Sequence, residues 1–204
     1  MIDLDISEAG LWTITINRPE KANSLTAQML EELVEIVTRA QAARGLILTG
    51  TGKVFSAGAD LEEARAGLAT SIVWERLSTG LAAVPCLKIA ALNGTLAGGA
   101  NGMALACDIR LAVPGAKFFY PVMKLGYLPQ PSDAGRMRAL IGPARTKMIL
   151  AAGQKIEAPE ACAWGLVDRL IEPDELMAQA QALLADSLAA KPEIARGILE
   201  MCQS

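Results

Sequence analysis

The run Asn93-Gly94-Thr95-Leu96-Ala97-Gly98-Gly99-Ala100-Asn101-Gly102 could do chemistry with its backbone alone. Four of its ten residues are glycine, and it joins an apolar stretch, 89–92, to a helical-looking segment that ends near Asp108. With no Cβ in the way, a ligand can approach N–H groups at the positive end of a helix, which suits a developing negative charge. No side chain in the run takes or gives a proton at neutral pH. A second stretch of small residues, Val54-Phe55-Ser56-Ala57-Gly58-Ala59-Asp60, leads into a helical pattern that begins near Leu61. The chain has no histidine. That excludes a Ser-His-Asp triad, a Cys-His pair and His-ligated zinc, so any chemistry must use backbone amides, carboxylates, Tyr, Lys or a bound water.

Both loops need strands before them and helices after them. Residues 2–6 and 11–16 alternate apolar and polar side chains around Glu8-Ala9-Gly10, which predicts a strand hairpin. Thr26 can cap a helix whose Leu30, Leu33, Val34 and Val37 recur at helical spacing. Apolar strands follow at 46–49, 87–92 and 109–113, with a short partner at 117–119 and helices at 72–83 and 99–106. From Asp133 onward the pattern is helical: 135–141, a segment opened by Pro143, 159–164 stopped by Gly165, and a long helix opened by Pro173, with a strand at 166–171. Strands separated by helices predict an α/β fold with a mainly parallel sheet and right-handed crossovers. No linker or low-complexity stretch divides the chain, which reads as one domain over 1–204, with a core over about 1–170 and terminal helices over about 173–204.

Composition narrows the function classes. The 204 residues are 52% hydrophobic, enough for a substantial core, and the apolar runs are too short to span a bilayer. A net charge of −3 with scattered Lys and Arg gives no footprint for nucleic acid. Cys86, Cys107, Cys162 and Cys202 form no CxxC pair and read as buried, reduced thiols. Met1 is followed by Asp3 and Asp5 rather than a basic and then apolar leader, so the expected location is the cytoplasm. Gly50-Thr51-Gly52-Lys53-Val54 lacks the upstream glycine and the Ser/Thr of a P-loop, and Gly94 to Gly99 does not match the dinucleotide fingerprint.

Three segments, Asn17-Arg18-Pro19-Glu20-Lys21-Ala22-Asn23-Ser24-Leu25, Phe55-Ser56-Ala57-Gly58-Ala59-Asp60-Leu61 and Asn93-Gly94 through Gly98-Gly99 to Cys107-Asp108, resemble the crotonase superfamily, the enoyl-CoA hydratase/isomerase group, in order and spacing. The resemblance continues through 118–126, 136–142 and 158–167. It implies a crotonase-like spiral of ββα units with a helical C-terminal region, shorter than usual and stopping at Ser204, that assembles as homotrimers or hexamers. It also implies an acyl-CoA or enoyl-CoA substrate, with coenzyme A part of the substrate and no other cofactor or metal. The thioester carbonyl would sit between N–H groups matching Ala59 and Gly99. Losing one such donor typically costs about 3–4 kcal/mol of barrier. Lys21, Ala22, Ala57, Gly58, Asp60 and Leu61 would hold the CoA moiety, with Leu96, Gly98 and Val122 also at the substrate. Arg18, Lys21 and Lys53 are candidate phosphate partners, while Asp60 and Asp108 read as caps or loop ties.

The sequence departs from the resembling hydratases at their two glutamates, which align with Gly102 and Val122. Water addition needs an activated water and a proton donor, each worth roughly 10²–10⁴-fold. Isomerase, lyase or other enolate chemistry is therefore expected instead, or a catalytically silent acyl-CoA binder or assembly protein. Replacement groups lie in 120–133: Asp133 first, whose competing role is a helix N-cap shared with Ser132, then Tyr120, with Tyr127 and Gln130 able to orient an acyl group or water. Glu62 and Glu63 border the pocket or form a solvated helix face, and Asn101 could bond a polar acyl group. Gly102 costs about 1 kcal/mol in a helix relative to Ala and makes room for a bulky acyl chain, or marks a lost function.

Overall fold

A computed structural model describes residues 1–203. The hairpin forms as the alternation predicts: β1 (Ile2–Ile6) pairs antiparallel with β2 (Leu11–Ile16), and positive φ at Gly10 turns the chain. Next come α1 (Ala27–Arg39), capped by the Thr26 side chain, β3 (Gly45–Gly50), β4 (Val54–Ser56), the short α2 (Leu61–Arg65) and α3 (Val73–Ala82). The chain continues through β5 (Leu87–Leu92), β6 (Thr95–Ala97), α4 (Asn101–Leu105), β7 (Ile109–Ala112), β8 (Lys117–Phe119) and α5 (Val122–Leu125). It closes with α6 (Pro131–Leu150), β9 (Ile156–Glu157), α7 (Ala158–Trp164), β10 (Arg169–Leu170), α8 (Leu176–Ala189) and α9 (Pro192–Gln203).

The strands sort into two sheets. One has the order β1-β2-β3-β5-β7-β10 and is parallel apart from the hairpin. The other has the order β4-β6-β8-β9, with β4, β6 and β8 parallel and β9 antiparallel at the edge. Three times the chain runs a strand in the first sheet, a strand in the second, then helix: β3-β4-α2, β5-β6-α4 and β7-β8-α5. This is the expected repeat of ββα units, and it brings the C-terminal ends of β4, β6 and β8 side by side.

Burial explains the order. β3 and β5 are apolar along almost their whole length because they lie in the middle of a sheet with helices packed on it, α8 among them. Lys88 and Arg110 are buried within the sheet, and each is neutralised: Lys88 Nζ lies 3.0 Å from Asp108, and Arg110 Nη2 lies 3.0 Å from Asp168. Asp108 thus ties loops together, as expected.

Four expectations need correction. The glycine run is not a single strand-to-helix turn, because β6 lies within it. The strand expected over 166–171 is only two residues long, since the backbone from Gly165 first closes the C-cap of α7. Pro173 opens a short 3-10 turn, and α8 starts after it. Cys202 is exposed and Cys162 half-buried, because α9 is amphipathic and turns Cys202 outward; all four thiols are free, and burial pushes Cys86 and Cys107 up to about 12. Within α6 the backbone breaks at Gly142 (φ 78°), and Pro143 starts the second helical segment as its missing N–H allows. No helix among the described residues is long and apolar enough to cross a membrane.

Candidate functional site

Two asparagines, Asn23 buried and Asn93 half-buried, fix the turn from β3 into β4. Asn23 Nδ2 donates to the carbonyls of Thr51 and Val54, its Oδ1 accepts from the Arg18 N–H, and its own carbonyl accepts from Ser56 Oγ. Asn93 does the same from the other side: Oδ1 accepts from the Gly50 N–H, and Nδ2 donates to Gly52 and Val54. Gly50 must be glycine, since a Cβ there would lie 2.8 Å from Phe55 O and 3.0 Å or closer to both asparagine side chains. Ala22 and Asn23 themselves hold left-handed backbone (φ 51° and 53°), a conformation that costs a non-glycine residue energy and persists only where its surroundings enforce it. Sequence reading placed both asparagines in motifs but gave them no task.

The two loops touch through Gly58 and Gly98. Both have positive φ, and a Cβ on Gly58 would meet Ala97 O at 3.0 Å and Gly98 Cα at 3.4 Å. Their next residues, Ala59 and Gly99, line one cavity of about 210 Å³ together with Ala57, Gly98, Tyr120, Val122 and Tyr127. The Ala59 N–H is left out of the bridge to Leu25, in which Leu25 N–H donates to Gly58 O and Asp60 N–H donates to Leu25 O. Gly99 lies in the first turn of the 3-10 segment Gly98–Ala100, where an N–H has no acceptor in its own helix. Two such donors beside one cavity can hold a carbonyl oxygen that gains charge. Trp74 forms the wall behind Gly99, its indole fixed by Nε1–H donating to Leu68 O at 2.9 Å. Trp74 and Phe119 both line the cavity, and neither was singled out from the sequence.

A second, more open groove shares Ala57, Ala59 and Leu61 with this cavity and continues past Arg18, Lys21, Ala22, Asp60, Glu62 and Glu63. Arg18 Nη1 lies 2.8 Å from Asp60 Oδ2 and also donates to the Ser24 carbonyl, so this guanidinium binds the loops together rather than projecting free. That contact holds the Asp60 carboxyl below its ordinary range, while its other oxygen caps α2. Lys21 is exposed on the groove wall; Lys53 lines neither space. Glu62 and Glu63 border the groove, not the cavity, and Glu63 accepts the Ala27 N–H. Leu96 is buried in the core and lines neither space; the cavity is met by Ala97 at the end of β6 and by Gly98 and Gly99 after it. Asn101 spends Nδ2 on Gly98 O and Phe119 O, which ties the glycine loop to β8 and removes that donor from any acyl group.

Behind the cavity wall, Asp133 is fully buried and Oδ2 accepts from the Tyr120 hydroxyl at 2.9 Å. It is not an N-cap, and neither is Ser132: α6 is capped at Gln130 without a side-chain bond, and Glu75 of α3 takes both the Ser132 N–H and O–H. Burial raises the Asp133 pKa from its ordinary 3.8 to about 6, against the lowering effects of the Tyr120 bond and Arg136. Burial and the neighbouring Asp133 charge raise the Tyr120 hydroxyl above its ordinary 10. Gln130 is buried, with its N–H 3.5 Å from the Tyr120 oxygen. Gly102 is a glycine for a local reason: its Cβ would stand 2.7 Å from Asp133 Oδ1. The space belongs to that carboxyl group, not to a bulky acyl chain.

The comparisons agree with this architecture. The profile described as Enoyl-CoA hydratase/isomerase matches residues 7–203. YngF of Bacillus subtilis (strain 168) is 40% identical over 182 residues, 84% of this chain and 70% of its own length. The 1,2-epoxyphenylacetyl-CoA isomerase of Escherichia coli (strain K12) is 32% identical over 205 residues, 95% of this chain and 78% of its own. The crystal structure of an enoyl-CoA hydratase from Bacillus anthracis superposes with a TM-score of 0.90 at 32% identity, over 100% of this chain and 82% of that one. Two-sheet topology, glycine loops and these likenesses together place the chain in the enoyl-CoA hydratase/isomerase family of the crotonase superfamily.

Proposed function

We propose that this protein is an enzyme acting on an acyl-CoA or enoyl-CoA thioester through an enolate whose oxygen is held by the N–H groups of Ala59 and Gly99. The observation that carries the reading is the meeting of two loops, each turned by a positive-φ glycine, at a cavity where those N–H groups have no acceptor among the described residues. The open groove past Lys21, Ala22 and Asp60 accommodates the nucleotide and pantetheine, and the cavity past Trp74, Val122 and Leu125 takes the acyl group. Gly102 and Val122 provide no acid or base, so the reaction is an isomerisation, lyase step or other enolate chemistry rather than ordinary hydration, with Tyr120 and Asp133 handling protons. One domain would carry the whole site, working as a trimer or hexamer in the cytoplasm.

A panel of saturated and unsaturated acyl-CoA thioesters, followed by mass spectrometry, tests the proposal. Conversion of at least one member is the expected result. The loss of both aligned carboxylates favours one rival, a silent acyl-CoA binder; thioester binding without conversion of any member would select it.

A further inference from the structure

The Asp133 carboxyl group is costly, and no structural task accounts for its cost. It is fully buried, its Oδ1 has no hydrogen-bond partner among the described residues, and it caps no helix. An unsatisfied buried acceptor typically costs about 1–3 kcal/mol, more if it is charged. The chain also gives up helix propensity at Gly102, whose missing Cβ leaves Oδ1 its space. The other oxygen meets the hydroxyl of Tyr120, a side chain that lines the cavity where Ala59 and Gly99 also stand.

We infer, on the acyl-CoA reading above, that Tyr120 and Asp133 form a proton relay in which Tyr120 touches the substrate and Asp133 acts through it. As the bond between the thioester α-carbon and its hydrogen breaks, the electron pair moves onto the carbonyl oxygen as the enolate between Ala59 and Gly99. The proton forms a new O–H bond on the Tyr120 oxygen, and the hydroxyl proton Tyr120 already carried passes to Asp133 Oδ2. Reversal returns a proton to the α-carbon or to a conjugated position, and no oxidant or reductant enters. The charge distribution supports a coupled transfer. Tyr120 beside an anionic carboxylate resists losing its proton alone, so the proton leaves only as another arrives. Asp133, destabilised as an anion by burial, is a stronger base than an ordinary carboxylate once ionised. The groups facing it are Tyr120 after β8, Glu75 on α3 and Arg136 on its own helix; α4 contributes only Gly102.

Exchange of the α-hydrogens of butyryl-CoA with D₂O, measured by NMR, tests the relay, with calorimetry reporting butyryl-CoA binding separately. In the wild type, exchange is expected to rise with pH through an inflection near 6 as Asp133 ionises. Tyr120→Phe and Asp133→Asn each should slow exchange by roughly 10²–10³-fold, with binding changed less than about threefold, and the double variant should be no slower than either single one. Asp133→Asn exchanging at the wild-type rate with the inflection intact would overturn the relay and leave the acyl-CoA reading standing, whereas a wild type that binds butyryl-CoA without exchange would overturn the relay and favour the silent binder. A wild type that binds no CoA thioester overturns both. If Asp133→Asn does not fold, Tyr120→Phe and the wild-type profile decide, and a profile flat between pH 5 and 8 would count against the relay.

Discussion

Asp133 links stability and chemistry in one group. Its pKa is raised in the folded chain, so its contribution is fully present below pH 3.8, where both states are protonated, and is lost as pH rises through about 6. Above that pH, keeping the anion buried costs about 3 kcal/mol on the linkage relation. Asp133→Asn is therefore expected to melt above wild type at pH 8, with the gap closing toward pH 4; calorimetric scans at the two pH values check it, and a pH-independent difference would contradict the burial argument. Gly99 is set by a different constraint. A Cβ there would lie 3.0 Å from the Trp74 ring, which the bond to Leu68 holds in place, so Gly99→Ala must move the loop that carries the N–H. Its kcat/KM should fall at least 100-fold while the fold survives, as steady-state assays on the converted thioester would show. The two small-residue loops were legible in the sequence, and within them Ala59 and Gly99 were singled out by the family resemblance; both line the cavity. The tasks of Asn101, Leu96 and Asp133 were not legible, because side-chain direction in irregular backbone depends on contacts made far along the chain.

At the scale of elements, the hidden feature is the second sheet. β4, β6 and β8 are three residues each, too short for an alternating pattern to show, so only β8 could be anticipated and the glycine run read as one turn. Its register depends on Gly94, where a Cβ would sit 2.0 Å from the Lys53 carbonyl oxygen. Gly94→Ala should force β6 from β4 and destabilise by more than about 3 kcal/mol, with thioester affinity falling in the same variant; denaturant titration and calorimetry check both. Arg18 bridges the segment before α1 to the start of α2 through Ser24 and Asp60. Arg18→Ala should loosen the groove and raise KM about tenfold with little change in kcat, whereas an equal fall in kcat would mean the loops also set the geometry of the reacting carbon.

Across the whole molecule, the α/β class was legible because apolar strands at 46–49 and 87–92 alternate with amphipathic helices, a pattern that a parallel sheet imposes. The division into two sheets was not, since it depends on where each strand finds its partner. Stability and function occupy separate regions of this arrangement. α8 packs on β3 and β5, and its fully buried Leu184 fills the space a Cβ on Gly45 would need and lines neither the cavity nor the groove. Leu184→Ala should cost about 2–5 kcal/mol by chemical denaturation and leave thioester affinity unchanged well below its melting temperature. The three ββα units instead converge on the ends of β4, β6 and β8, and the central claim is that the backbone there holds a thioester oxygen. A crystal structure with acetoacetyl-CoA tests it most directly. The thioester carbonyl oxygen is expected about 2.7–3.1 Å from both Ala59 N and Gly99 N, with Tyr120 Oη facing the α-carbon. A bound ligand whose carbonyl meets neither N–H would contradict it.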